Sequence, residues 1–174
     1  MTTIRPLQAS EWPQYRAMRL RALADSPDAF GSTWAAEVQR PDVLWQERLQ
    51  LALASNQDLP LCAVIDAPTN KPSATQMAGL LWAKVDAEDA RLVHLFQMWV
   101  APEQRGQGIG GQLLAHARRW AEAQGAHSML LGVTCGDTPA LRLYARMGFS
   151  AYGAPTPLRE GSALLAQSMR LSLR

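Results

Sequence analysis

The feature that most constrains this chain is a glycine-rich turn between two apolar segments of different periodicity. The segment QRGQGIGG at 104–111 follows an apolar run that ends at Val100, and a run with helical spacing begins near Ile109. Glycine adopts positive φ and has no Cβ, so consecutive backbone N–H groups can turn toward one anion and approach it closely. The N-terminus of a helix adds unpaired donors and a partial positive charge. The pattern therefore predicts a strand, a turn and a helix, in that order, and the turn either binds an anion or is only a tight connection.

Two familiar phosphate-binding loops differ from this turn. A Walker loop needs a lysine after its second glycine, and this segment has none. The dinucleotide fingerprint is Gly-x-Gly-x-x-Gly after a first strand, whereas here the order is Arg105-x-x-Gly108-x-Gly110, late in the chain. The remaining pattern, Arg/Gln-x-x-Gly-x-Gly/Ala, resembles the loop that binds the pyrophosphate of acetyl-coenzyme A in the GNAT superfamily of N-acetyltransferases.

A second segment carries the same resemblance. The sequence ALRLYARMGF at 140–149 is similar to the GNAT pattern Ala-x-x-Leu/Phe-Tyr-x-x-x-Gly-Phe, and it follows the strand after the loop helix, as in that family. Asp137 stands where the family commonly has Asn. A carboxylate caps a helix as well as an amide does, but it can only accept a hydrogen bond. On the two motifs together, the chain is identified as a member of the GNAT superfamily.

Hydrophobic periodicity and the resemblance predict one acetyltransferase domain over residues 1–174, in the α/β class (α+β in some schemes). The GNAT fold implies a mixed, mostly antiparallel sheet of about six or seven strands, splayed between the fourth and fifth, with about four flanking helices. Strands are predicted at 3–6, 59–66, 77–85, 91–100, 127–134, 149–153 and 164–171, with irregular loops at 67–73 and 155–161. Helices are predicted from an N-cap at Ser10 to Leu23, from Ser32 to Ala54 with a kink or split at Pro41, from Ile109 to Gly125, and from a cap at Asp137 to Gly148.

Composition excludes several functional classes. The net charge is +2, and the 17 Lys and Arg residues are spread along the chain, which does not indicate a nucleic-acid-binding protein. No apolar run approaches the roughly 20 residues of a membrane span, and the N-terminus does not resemble a signal peptide, so we expect a cytoplasmic protein without membrane association. Cys62 and Cys135 are isolated in apolar runs and are predicted to be buried thiols. No metal-ligand spacing is present, and no metal is expected.

The resemblance specifies the donor as acetyl-coenzyme A. In the family the pantetheine arm enters the gap between the two splayed strands, here 91–100 and 127–134, and pairs with the strand backbone. The diphosphate lies on N–H groups of the glycine turn. The residues expected to contact the cofactor are therefore Met98, Trp99, Val100, Arg105, Gly106, Gly108, Ile109, Gly110, Gly111 and Asp137. Two interpretations of Arg105 stay open, namely a charge on the phosphates and a solvated loop arginine.

The resemblance also implies direct attack of a primary amine on the thioester in a ternary complex. A strand N–H near Met98 or Trp99 would polarise the carbonyl, and Tyr144 would protonate the departing thiolate, although helical spacing also suits a packing role for Tyr144. His94, six residues before Val100, is the candidate base, because an imidazole with a reference pKa near ~6.5 suits proton transfer at neutral pH. A structural histidine is the alternative, and Glu88 and Glu103 are the other candidate bases.

The acceptor is less constrained than the donor. By resemblance, the segments 25–32 and 155–161 flank the thioester, and Phe30 and Trp34 line an apolar acceptor pocket or else belong to the core. We expect a small-molecule amine or a peptide N-terminus as acceptor, and similar proteins are often homodimers. A non-catalytic acyl-coenzyme A sensor and an enzyme with a longer acyl donor are the rival hypotheses.

Overall fold

A computed structural model describes residues 1–67 and 74–173, so the predicted loop at 67–73 lies outside the described residues beyond Ala67. The strands are Thr2–Pro6 (β1), Asp58–Asp66 (β2), Thr75–Val85 (β3), Leu92–Val100 (β4), Ser128–Thr134 (β5), Ser150–Ala151 (β6), Thr156–Pro157 (β7) and Leu165–Ser172 (β8). The α-helices are Trp12–Asp25 (α1), Trp34–Val38 (α2), Asp42–Ala54 (α3), Ile109–Ala123 (α4) and Pro139–Arg146 (α5). The described residues thus contain slightly more strands and helices than the sequence predicted.

The strands form one mixed sheet with the order β1-β2-β3-β4-β5-β8-β6, and β7 pairs with β8. β2, β3 and β4 form an antiparallel meander, as expected from their short connections. β4 and β5 are parallel, because α4 carries the chain back along the sheet between them. The predicted mixed and mostly antiparallel sheet is confirmed.

The sheet separates two hydrophobic clusters. On one face α4 and α5 pack against the strands, and α4 contributes Leu113, Leu114 and Ala117 at helical spacing. On the other face α1 and α3 contribute Tyr15, Trp45 and other apolar side chains. Each face of the central strands is therefore covered, which explains their almost continuous apolar sequences.

Two of the predicted helix caps, Ser10 and Asp137, are not the observed ones. Ser10 lies in a 3₁₀ turn, because the Glu11 side chain accepts the N–H of Gln8 and closes that turn first, so α1 begins at Trp12. Asp137 does not cap α5. Thr138 does so instead, since its Oγ1 accepts the N–H of Leu141 at 3.1 Å. Pro41 divides the predicted long helix into α2 and α3, as its missing N–H requires.

Two further predictions are wrong in part. Cys62 is buried, but Cys135 is exposed, because β5 ends at Thr134 and Gly136, with φ of 124°, turns the chain away from the sheet. The loop at 155–161 is not wholly irregular, since β7 pairs with the first two residues of β8. A proline fits there because an edge strand does not need every N–H.

The described residues contain neither a membrane-spanning helix nor a group of metal ligands. None of their helices is both long enough and apolar enough to span a membrane. No three His, Cys, Asp or Glu side chains among them are grouped so that they could hold a metal ion.

The packing of α4 predicts a large loss of stability in Leu113→Ala. Leu113 is fully buried between α4 and the sheet, so truncation leaves a cavity and should lower the free energy of unfolding by about 2–5 kcal/mol. Leu51→Ala in α3 is the matched control, because Leu51 is 71% exposed, and it should change stability by no more than about 0.5 kcal/mol. Urea unfolding measures both variants. Equal losses would contradict the assignment of Leu113 to the core.

Candidate active site

The parallel pairing of β4 and β5 stops after three residue pairs. The strands pair from Leu92 with Ser128 to His94 with Leu130. Beyond this point β4 is bonded only to β3, and β5 only to β8. Among the described residues, the edge of β4 at 95–100 therefore has no strand partner across the gap. The splay predicted between the fourth and fifth strands is confirmed.

A β-bulge at Gln97 shapes the β4 side of the gap. Gln97 has a positive φ of 58°, and one residue of β3 faces two residues of β4 at this point. The Gln97 Oε1 accepts a hydrogen bond of 2.8 Å from the Tyr15 hydroxyl, which holds the strained residue in place. Sequence reasoning did not select Gln97. Its signal was a polar residue within the apolar run LFQMWV.

A cavity of about 460 Å³ occupies the gap. Its lining comes from α1 and the segment after it, the middle of β4, the middle of β5, the residue after β7, the start of β8, and α5. The lining residues include Arg19, Phe30, Ser32, His94, Gln97, Met98, Gly132, Tyr144 and Leu158. Trp34 is not among them. It starts α2 and is 47% exposed, so the structure brings only Phe30 of the predicted acceptor pair to the cavity.

Tyr144 is the α5 side chain that reaches this cavity. The residue is buried and packs edge-on against Phe149 at 6.0 Å between ring centroids, so it has the predicted packing role. Its hydroxyl has no hydrogen-bond partner among the described residues. Burial raises the pKa of Tyr144 well above its usual value, which keeps the phenol protonated at neutral pH.

His94 is the candidate base that lines the cavity. Its Nε2 lies 2.8 Å from Oδ2 of Asp86, in the turn after β3. Hydrogen bonds from the N–H groups of Glu88 and Asp89, and from His94, lower the pKa of Asp86, so the carboxylate is ionised and can only accept. The proton of the neutral imidazole is therefore assigned to Nε2, which leaves Nδ1 as the basic nitrogen.

The alternative bases lie elsewhere. Glu88 is exposed in the turn and does not line the cavity. Glu103 forms a bidentate ion pair with Arg21, at 2.7 and 2.9 Å, and is also outside the cavity. His94 is thus the one of the three that the fold brings into the gap with Tyr144.

The glycine turn lies next to the end of β4 and opens α4. Gly106 and Gly108 both have φ of 77°, and a Cβ on either would meet no protein atom within 4 Å. The first backbone hydrogen bond of α4 runs from the N–H of Gln112 to the carbonyl of Gly108. The preceding N–H groups, of Ile109, Gly110 and Gly111, are consequently free of helical partners. Open space beside free donors is suited to an anion.

Gly110 has a different role from Gly108. A Cβ on Gly110 would lie 2.8 Å from Leu143 Cδ2 and 3.1 Å from Met98 Cε, so a small residue is required where α4 approaches α5 and β4. Gly111 has only an ordinary contact with Met147. Packing thus explains why residue 110 is a glycine, and its backbone N–H has no helical partner and can still donate to an anion.

Arg105 connects the turn to the rest of the protein. Its Nε donates to the carbonyl of Val100 at 3.0 Å, and its Nη2 lies 2.6 Å from Asp25 Oδ2. Trp99 Nε1 donates to the same oxygen at 3.0 Å. Hydrogen bonds from Ser26, Arg105 and Trp99 lower the pKa of Asp25. The side chain of Arg105 is therefore bonded to protein groups through Nε and Nη2 while it remains about half exposed, and both interpretations made from the sequence stay predictions.

The remaining predicted cofactor residues separate into two groups. Met98 lines the cavity, whereas Trp99 is buried in the cluster on the other face of the sheet, so only its backbone borders the gap. Asp137 is exposed, bonds to Arg142 at 2.6 Å and does not line the cavity. Asp137 is therefore outside the lining of the cavity, as the residues of the glycine turn are.

The two loops expected to flank the site contact each other. Arg159 donates to the carbonyls of Pro27 at 3.0 Å and Phe30 at 3.2 Å. Thr134, at the end of β5, donates through its hydroxyl to the carbonyl of Asp28 at 2.6 Å. These bonds hold the segment after α1 in place, and its residues Phe30 and Ser32 line the cavity.

Known proteins resemble this chain in sequence. Streptothricin acetyltransferase from Streptomyces lavendulae is 38% identical over 50% of this chain and 46% of its own length, so the chain covers less than half of that relative. The L-methionine sulfoximine/L-methionine sulfone acetyltransferase of Pseudomonas aeruginosa is 28% identical over 75% of this chain and 74% of its own length.

The fold and the family also have clear matches. A protein from Salmonella typhimurium, solved with its cofactor acetyl-CoA, has a TM-score of 0.77 at 17% identity, over 100% of this chain and 95% of that one, which shows a common fold. The model of the acetyltransferase (GNAT) family matches residues 13–149. This match extends from α1 through the glycine turn and α5 to Phe149, and the chain therefore belongs to the acetyltransferase (GNAT) family.

Proposed function

We propose that the protein is an N-acetyltransferase that moves an acetyl group from acetyl-CoA to a primary amine by direct attack in a ternary complex. The observation that carries this proposal is that one cavity, at the splay of β4 and β5, is lined by a protonated phenol, a histidine bonded to a carboxylate, and an unpaired strand edge. A proton donor and a proton acceptor thus border the same space. The two sequence relatives are named for different acceptors, so their names do not select one.

The residues beside the gap fit acetyl-CoA at two points. The free N–H groups of Ile109, Gly110 and Gly111, with open space at Gly106 and Gly108, suit its diphosphate. The unpaired edge of β4 at 95–100 suits the amides of the pantetheine arm, which can pair with it as an added strand does. The family relationship, and the Salmonella protein that contains acetyl-CoA, support the same donor.

The chemical step needs a neutral amine, a stabilised oxyanion and a protonated leaving group. When bound, acetyl-CoA supplies the acetyl group as a thioester. Nδ1 of His94 accepts the amine proton, directly or through water, as the C–N bond forms. Backbone N–H groups on the gap edge of β4 donate to the developing oxyanion. The Tyr144 hydroxyl gives its proton to the sulfur as the C–S bond breaks, and it recovers a proton from solvent.

The two rival hypotheses give different observable results. A non-catalytic acyl-CoA sensor would bind the coenzyme but release no free thiol with any amine. An enzyme for a longer acyl donor would co-purify with that acyl-CoA, which a mass spectrum of the released ligand identifies. Thiol release from acetyl-CoA, dependent on an added amine, tests the proposed activity directly.

Tyr144→Phe should reduce turnover by about 10- to 100-fold without weakening acetyl-CoA binding. The variant keeps the packed ring and removes only the hydroxyl, which has no partner among the described residues, so stability should be nearly unchanged. The measurement is thiol release at saturating substrates, with coenzyme binding by calorimetry. Tyr152→Phe, at a half-exposed tyrosine outside the cavity, is the control. Unchanged turnover in Tyr144→Phe would remove this residue from the mechanism.

His94→Gln should lower kcat/KM for the amine by about 100-fold near neutral pH, because the variant has no general base in the gap. The deficit should shrink as the pH approaches the pKa of the acceptor, where the amine loses its proton to solvent. His127→Gln is the matched control, since His127 is exposed at the start of β5 and does not line the cavity. A deficit that is independent of pH would contradict the role of His94 as base.

Gly108→Val should weaken coenzyme A binding at least about tenfold by placing a side chain in the open space beside the free N–H groups. Gly125→Val is a control with similar backbone strain, because Gly125 has φ of 80° and no neighbour within 4 Å of its Cβ position, at the other end of α4. Both variants should lose stability, but only Gly108→Val should lose affinity by calorimetry. Equal affinities in the two variants would refute the diphosphate assignment.

A further inference from the structure

Arg19 is a buried arginine without a counter-charge in contact. It lies in α1, is 4% exposed, and lines the cavity between β4 and β5. Its Nε and Nη1 have no hydrogen-bond acceptor among the described residues. Its guanidinium carbon lies 4.6 Å from the centroid of the Phe30 ring. Buried guanidinium groups normally have a partner, so this one requires an explanation.

Nearby groups do not neutralise Arg19. Glu37 is the buried carboxylate of this region, and it accepts hydrogen bonds from Arg40 at 3.0 Å and from Arg48 at 3.4 Å. Although burial acts in the opposite direction, these two arginines lower the pKa of Glu37 and keep it ionised. The single negative charge of Glu37 is therefore shared by two bonded guanidinium groups. Arg19 adds a third positive charge that no further carboxylate among the described residues contacts or balances.

The cavity itself also lacks a negative group. Among the described residues that line it, the ionisable side chains are Arg19, His94 and Tyr144, and none is a carboxylate. Burial lowers the pKa of Arg19, but a guanidinium stays charged at neutral pH in proteins. The cavity thus has a fixed positive charge and an aromatic ring on its α1 side, opposite the proposed reacting groups on the side of β4 and α5.

We propose that Arg19 binds a carboxylate of the acceptor, and that the acceptor is a free amino acid or a similarly small amine that carries a carboxylate near its amino group. The proposal rests on the proposed acetyl transfer and names the substrate class of that site. A planar guanidinium binds a carboxylate with two parallel hydrogen bonds, which fixes orientation as well as charge. An acceptor held in this way at Arg19 presents its amine toward His94 and Tyr144.

The chemistry of the site discriminates against the other acceptors. A peptide N-terminus has an amide where a free amino acid has its α-carboxylate, so it would leave Arg19 unpaired. A polyamine would bring further positive charge to a cavity that already carries a guanidinium. Phe30, which lines the same side, is suited to an apolar side chain on the amino acid.

The first test uses the wild-type protein and matched pairs of acceptors. The panel consists of the common L-amino acids, their carboxamides and the polyamines spermidine and spermine, assayed by thiol release from acetyl-CoA. For the best side chain, kcat/KM should be about 10- to 100-fold higher for the acid than for its amide, because the amide leaves the guanidinium unpaired. Equal or higher values for the amides, or a preference for polyamines, would overturn the inference.

The second test removes the guanidinium. Arg19→Gln should lower kcat/KM for the acid at least about tenfold and leave the amide and the KM for acetyl-CoA unchanged, which a general structural defect would not do. Arg19→Lys should retain part of the acid preference, since it keeps the charge but not the planar donor pair. Arg118→Gln is the matched control, because it removes the same charge from an exposed ion pair on α4 and should change neither ratio. Loss of activity toward acid and amide alike in a folded Arg19→Gln protein would contradict the assignment.

A binding measurement separates failure of this inference from failure of the proposed function. The preferred amino acid should raise the Tm of the wild-type protein more than its carboxamide does, whether or not acetyl transfer occurs and whether or not Arg19→Gln folds. Carboxylate-dependent stabilisation without thiol release would contradict the enzyme but support the anion site. Thiol release without discrimination between acid and amide would support the enzyme and overturn the anion site.

Discussion

The short parallel ladder between β4 and β5 is the constraint on which the candidate site depends. Beyond the short ladder, each of these two strands has hydrogen bonds on one side alone and presents a free edge to the gap. Helices that pack on both faces of the sheet help to hold the strands in place. β4 is held by β3 and β5 by β8, so the two strands can separate after His94 and Leu130 without loss of the fold. The unpaired edge that results is the part of the sheet that can accept another extended chain.

Groups on the face of the sheet that α1 covers determine the shape of this gap. The bulge at Gln97 is bonded to Tyr15 of α1, and Asp25 at the end of α1 bonds to both Trp99 and Arg105. One helix therefore holds the middle of β4, its end, and the glycine turn. The same helix carries Arg19 into the cavity, so α1 connects the donor and acceptor sides of the proposed reaction.

Local chemistry explains how much of the structure could be predicted. Helical periodicity, short turns and the positive φ of Gly108 depend on neighbouring residues, and the predictions that rest on them are confirmed apart from some boundaries. Asp137 and Thr138 are adjacent candidates for one cap, and sequence alone does not decide which side chain turns toward the helix. The pairing of Arg105 with Asp25, 80 positions apart, and the isolation of Arg19 depend on packing between distant segments and have no local signal.

Burial and hydrogen bonding give the side chains on the two sides of the cavity different charges at the same pH. On the β4 and α5 side, desolvation keeps the Tyr144 phenol protonated, while an ionised Asp86 orients the imidazole of His94. On the α1 side, Arg19 keeps its charge although it has no partner among the described residues. A negatively charged group bound there would offset the cost of burying the guanidinium. In the proposed reaction, the fixed charge of Arg19 therefore serves binding, and His94 and Tyr144 serve proton transfer.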